Sequence, residues 1–175
     1  MTIRKFSQRK REPDRPKFRP EMMPIDWLIE GLAIAALMTF IGYAIYWYQR
    51  VPQIIPIHFD ASGNTDNYGS KIHLLILPGI GVFIYVLLTV IGLFPHTYNF
   101  TQKITPENAP RQYLLATRFI RFLKVVVVGI FFFIGIMATR VSMNMTDKMG
   151  IWLLPVILGF VFIPIIVYFV VASRK

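Results

Sequence analysis

Cysteine is absent from all 175 positions of the chain. That excludes a disulfide framework, a thiol nucleophile and any thiolate metal site. Acids are scarce as well: nine Asp and Glu stand against nineteen Lys and Arg, for a formal net charge of +10. Long polar stretches are also few. Residues 51–71 are the only long segment rich in turn formers between two apolar runs. Apolar sequence is what the chain has in abundance: 55% of it is hydrophobic and its mean hydropathy is +0.53. A soluble domain is usually about 45–50% apolar and lacks long apolar runs. Four runs here suit a hydrocarbon core, which takes roughly 20 residues of helix to cross. They cover about 27–48, 73–94, 120–139 and 151–171. The expected fold is therefore an all-α integral membrane protein with four transmembrane helices.

Residues 1–24 read as a basic tail punctuated by Pro13, Pro16, Pro20 and Pro24, too poor in apolar residues to offset the entropy of ordering. A disordered cytoplasmic tail is the expectation, followed by a four-helix membrane domain over 25–175. Its charge suits topology and anionic lipid. No aromatic interleaving accompanies it, so nucleic acid is not an expected partner. The first run is flanked by Trp27 and by Tyr43, Tyr46, Trp47 and Tyr48, an aromatic belt. It is too long, and lacks the small-residue site, for a cleaved signal peptide.

Charge sets the orientation. With the tail inside, fifteen basic residues fall on the inner side and only Arg50, Lys71, Arg140 and Lys148 on the outer side. That is a strong positive-inside asymmetry. Both termini are then cytoplasmic and 51–71 becomes an extracytoplasmic loop; in a bacterium that makes the chain an inner-membrane protein with the loop on the periplasmic or outer face. Glu30, one turn inside the first run, reads as interfacial, reaching headgroup water or a nearby cation. Lys124, in the third run, is expected to snorkel. With no charge placed deep in a span, ion transport is disfavoured. Pro78, Gly79 and Gly81 predict a kink or close helix packing near the start of the second run, and Pro155 and Pro164 bends in the fourth. Thr105-Pro106-Glu107-Asn108 reads as a helix start, with the helix running over 106–139.

The 51–71 loop carries the candidate chemistry. Ile55, Ile57 and Phe59 alternate with Pro56, His58 and Asp60, the pattern of a short extended segment with one apolar face. Pro52 and Pro56 limit it to an edge or irregular strand. Ala61-Ser62-Gly63-Asn64 and Asn67-Tyr68-Gly69-Ser70 read as turns. In a strand, His58 and Asp60 share a side, and with Asp66 they are candidate metal ligands. Their spacing matches neither two zinc histidines on one helix nor a calcium loop. A structural histidine, tying the loop together, is the plainer reading of His58.

Pro52-x-x-Ile55-Pro56-x-His58-Phe59, followed by Gly63, Asp66, Gly69, Ser70 and Lys71, resembles the bacterial membrane family called domain of unknown function 1648 (DUF1648). Pro95, Asn99, Ile104, Thr105 and Asn108 resemble its next motif. Val51, Asp60, Thr65 and Thr101 depart from the leucine, asparagine and prolines usual there. The domain also forms the front of Sdp-type immunity proteins, which are longer and carry a further membrane region. The resemblance implies a fold and a location more than an activity. Pro56, His58, Phe59, Asp60, Gly63, Asp66 and Lys71 are the expected ligand- or partner-binding residues, and no catalytic residue or cofactor is expected. The leading expectation is a non-enzymatic binding, sensing or immunity-like protein. A membrane enzyme or metal-dependent protein centred on His58, Asp60 and Asp66 is the alternative, as is a small transporter or an accessory subunit. Expected partners are the lipid bilayer and a membrane protein or a second copy.

Overall fold

The computed structural model describes residues 15–146, 148 and 150–174. The stretch 1–14 of the expected disordered tail lies outside the described residues. Four helices dominate: α1 (Pro24–Tyr48), α2 (His73–Gly92), α3 (Ala109–Ser142) and α4 (Leu153–Ser173). All four are long and apolar enough to cross a membrane. Between α1 and α2 two strands, β1 (Ile54–Phe59) and β2 (Thr65–Ser70), pair antiparallel. The fold is thus mostly helical rather than all-α, because the 51–71 loop closes its backbone hydrogen bonds as a hairpin.

α1 begins at Pro24, where a missing N–H costs nothing, and Asp26 accepts the Met23 backbone N–H at 3.0 Å. Ala33, Leu37, Phe40 and Ala44 are buried at helical spacing and form the inner stripe of α1. Phe40 is fully buried, and its ring leaves no room for larger residues opposite. A Cβ on Gly135 of α3 would lie 3.0 Å from the Phe40 ring. Phe132 stacks on Phe40 at 5.2 Å between centroids. Small residues here bring α1 and α3 close.

α2 runs through Pro78. Pro155 is the third residue of α4, in the first turn, where it removes no intrahelical bond; Pro164 alone lies in the interior. α3 begins at Ala109 rather than 106. Thr105 and Asn108 bind each other reciprocally at 2.9 and 3.4 Å, and Pro110 takes the first-turn position expected for Pro106. α4 packs chiefly against α3 and is pinned at its C-terminal end. Arg111 donates to the Val171 and Arg174 carbonyls at 2.9 and 2.7 Å, and Gln102 and Gln112 donate to Ala172. Those carbonyls have no partner within the helix.

The four helices alternate in direction, giving the structure two ends. The hairpin and the α3–α4 connection meet at one. The chain around 93–108, residues 15–23 and the C-terminal end of α4 meet at the other. There Arg15 donates to the Tyr98 carbonyl at 2.6 Å, Arg19 to Leu93 at 3.1 Å, and Phe18 lies against Tyr113 at 5.2 Å between centroids. Residues 15–23 are therefore held by side-chain contacts, although no helix or strand forms there.

Candidate functional site

The hairpin is clamped to the helices from below. Val51 and Ile55 are buried with Ala44 and Leu74, and Trp47, Leu75 and Met143 pack around them. The Lys71 backbone N–H closes the base on the Gln53 carbonyl at 2.9 Å, and the Lys71 ammonium sits 4.8 Å from the Tyr48 ring centroid. Ile55 opposes Gly69, Pro56 opposes Tyr68 and His58 opposes Asn67. Register shifts on either side of His58 break the simple alternation. The buried pair is accordingly Ile55 and Pro56, while Ile57 turns out to solvent and Phe59 is half-buried.

The tip follows from Asp60. Its carboxylate accepts the backbone N–H of Ser62 at 2.8 Å, that of Asn64 at 2.9 Å, and the Asn64 amide at 3.2 Å. These bonds from Asn64, backbone first and side chain second, hold the exposed Asp60 carboxyl below its ordinary range. Gly63 has φ +81°, and a Cβ there would lie 2.6 Å from the Gly150 backbone N. Only glycine fits this contact, which seats the tip on the α3–α4 connection.

His58 and Asp66 meet across the hairpin, Nδ1 to Oδ1 at 2.6 Å, with side chains 66% and 45% exposed. Asp60 does not join them, because its oxygens are turned into the tip. Among the described residues no three His, Asp or Glu side chains converge as a metal cluster. Two open clefts flank the hairpin. One, about 340 Å³, lies between the tip and α4, lined by His58, Asp60, Gly63, Gly150 and Leu153. The other, about 430 Å³, runs from Pro56 and Tyr68 to Ser142 and Asn144. Thr65 borders the second, and its buried hydroxyl has no hydrogen-bond partner among the described residues. The exposed pair and the clefts suit recognition of a polar or cationic group.

A second cluster, absent from the sequence reading, lies at the opposite end between α1, α2 and α3. Arg118 grips Asp26 with two hydrogen bonds, at 2.9 and 3.1 Å, and Asp26 is fully buried. The Lys124 ammonium bonds Glu30 at 2.6 Å and the Thr89 hydroxyl at 3.0 Å. The Tyr85 hydroxyl donates to the same Glu30 oxygen at 2.5 Å. Lys124 does not snorkel: its side chain is 3% exposed. Glu30 of α1, Thr89 of α2 and the Tyr85 ring, its centroid 4.7 Å from the ammonium, hold it inward. Glu30 does reach a cation, but a buried one.

These features define a class, a protein with four helices of membrane-crossing length and apolarity that carries a small hairpin between the first two. Residues 33–82, from mid-α1 through the hairpin into α2, match the family model described as Domain of unknown function (DUF1648). A protein of Archaeoglobus fulgidus described as "Uncharacterized protein" is 41% identical over 49 residues, covering 28% of this chain and 25% of that protein. The chain thus matches about a quarter of its curated relative. No solved structure matches.

Proposed function

We propose that the chain is a multi-pass protein of the cytoplasmic membrane. Both termini lie inside, and the hairpin stands on the outer face as a non-enzymatic recognition element. The basic residues gathered at the end opposite the hairpin support this orientation. One observation carries the function: the hairpin is fixed at its base by Val51 and Ile55 and at its tip by Gly63, yet the His58–Asp66 pair between them stays open to solvent. A rigid support under an exposed polar pair lowers the ordering cost of binding. Tyr68 and Ile54, 61% and 59% exposed, add apolar contact in the cleft on one side of the hairpin. The partner is a peptide or protein segment with a cationic or hydrogen-bonding group, in a sensing or immunity-like role.

A photoreactive phenylalanine analogue at Tyr68 tests this in intact cells. It is expected to capture a discrete partner, and His58→Ala or Asp66→Asn to abolish capture while membrane insertion persists. An exposed ion pair contributes only about 0–1 kcal/mol, so neither change should unfold the chain. Equal capture in both variants would remove the hairpin pair from function.

A further inference from the structure

The inner cluster has one cation too many. Asp26 and Glu30 face Arg118, Arg121 and Lys124, and the two acids are hydrogen-bonded by Arg118 and Lys124 respectively. Arg121 reaches Asp26 only at 3.3 Å, without hydrogen-bond geometry. Its Nη1 is buried and has no hydrogen-bond partner among the described residues. A guanidinium cannot shed its charge to escape this, so an unmet donor in a low-dielectric site is costly. Beside it lies a half-open cavity of about 160 Å³, lined by Arg121, Lys124, Glu30, Thr89, Gly92 and Trp27. Arg19 stands at the rim on the carbonyl of Leu93, which also lines the cavity. Trp27 lies in the first turn of α1 and Gly92 ends α2, so the mouth is at the level where a span of this length meets the headgroups.

We propose that this cavity is an anion site that seats a phosphate group against Arg121, taken either from a phospholipid headgroup or from free phosphate. A tetrahedral oxyanion fits the volume and supplies the missing acceptor. Arg121 already lines the cavity, and a turn of its guanidinium that moves Nη1 off its 3.3 Å contact with Asp26 brings that N–H to the anion. The uniform negative charge of a phosphate also offsets the surplus cation, which a neutral occupant leaves in place. Glu30 also lines the cavity, and its charge is offset by Lys124, whose ammonium and the Tyr85 hydroxyl both bind its Oε1.

The test uses the full chain, delipidated in maltoside micelles and free of phosphate and sulfate. Thermal unfolding is followed on adding inorganic phosphate or phosphatidylglycerol, each against a chloride-matched control. Occupancy is expected to raise the midpoint by about 2 °C or more. Arg121→Gln should remove the rise. Gly92→Leu should also remove it while keeping every charge; a Cβ at Gly92 meets only ordinary contact, 3.9 Å from Ile120. A rise with the lipid alone assigns a headgroup, and a rise with inorganic phosphate assigns a free anion. No rise with either in the unaltered chain, or the same rise in both variants, would overturn the site.

Discussion

Breaking the Glu30–Lys124 pair from one side should hurt the protein far more than removing both partners. Lys124 is 3% exposed and Glu30 17%, and their contact is 2.6 Å. Replacing Lys124 with Met leaves the Glu30 carboxylate with Tyr85 as its hydrogen-bond partner and Thr89 without its donor. Loss of one member of a buried pair costs about 3–5 kcal/mol. For a chain of this size about 1 kcal/mol moves the midpoint by 2–4 °C, so a fall of about 6–20 °C is expected. Glu30→Gln strands the ammonium instead and should fall by a similar amount. The double variant strands no charge and keeps an acceptor for Tyr85. Its loss should therefore undershoot the sum of the single losses by about 2 kcal/mol or more, beyond the 0.3–0.5 kcal/mol within which independent sites add. Unfolding followed by circular dichroism in maltoside micelles measures all four proteins. Additive losses, or single variants as stable as the parent, would refute a buried pair and return Lys124 to the headgroups.

Gly63→Ala combines positive φ with a clash against the Gly150 backbone and should cost about 1–3 kcal/mol locally; faster limited proteolysis at the hairpin tip is the readout. The chain has no cysteine, so single cysteines report sidedness directly. Ala61→Cys should react with an impermeant maleimide in intact cells and Glu107→Cys only after lysis, and the reverse pattern would invert the orientation. Asp60 gives the tip an acid limit. Its folded pKa is depressed by the Asn64 and Ser62 bonds, so the stabilisation is full above the unfolded value near about 4 and lost as pH falls through the folded one. Amide exchange at Ser62 and Asn64 should accelerate only in that acid range, and Asp60→Asn should abolish the dependence.

The four apolar runs were legible because length and hydropathy are properties of one segment at a time. The hairpin was half legible. Alternation from Ile55 and the Gly63 turn announced an extended stretch and its reversal, but the bulges beside His58 depend on what β2 offers opposite. They undo the expected shared face of His58 and Asp60, leaving Asp66 as the partner of His58. The inner cluster was not legible from any single run, since Glu30, Tyr85 and Lys124 come from three helices. A signal for it does exist in the sequence. Asp26 and Glu30 are four apart on α1, while Arg118, Arg121 and Lys124 are three apart on α3. Each set lies along one helix face. Both helices run in the same direction away from the basic end, so the two ladders can meet rung by rung: Asp26 with Arg118, Glu30 with Lys124. Charges this close to hydrocarbon are costly alone, which makes matched acid and base periodicities on separate spans evidence of contact. By the same logic Arg121, which shares Asp26 with Arg118 and has no acid of its own, is the rung for which we propose an outside anion.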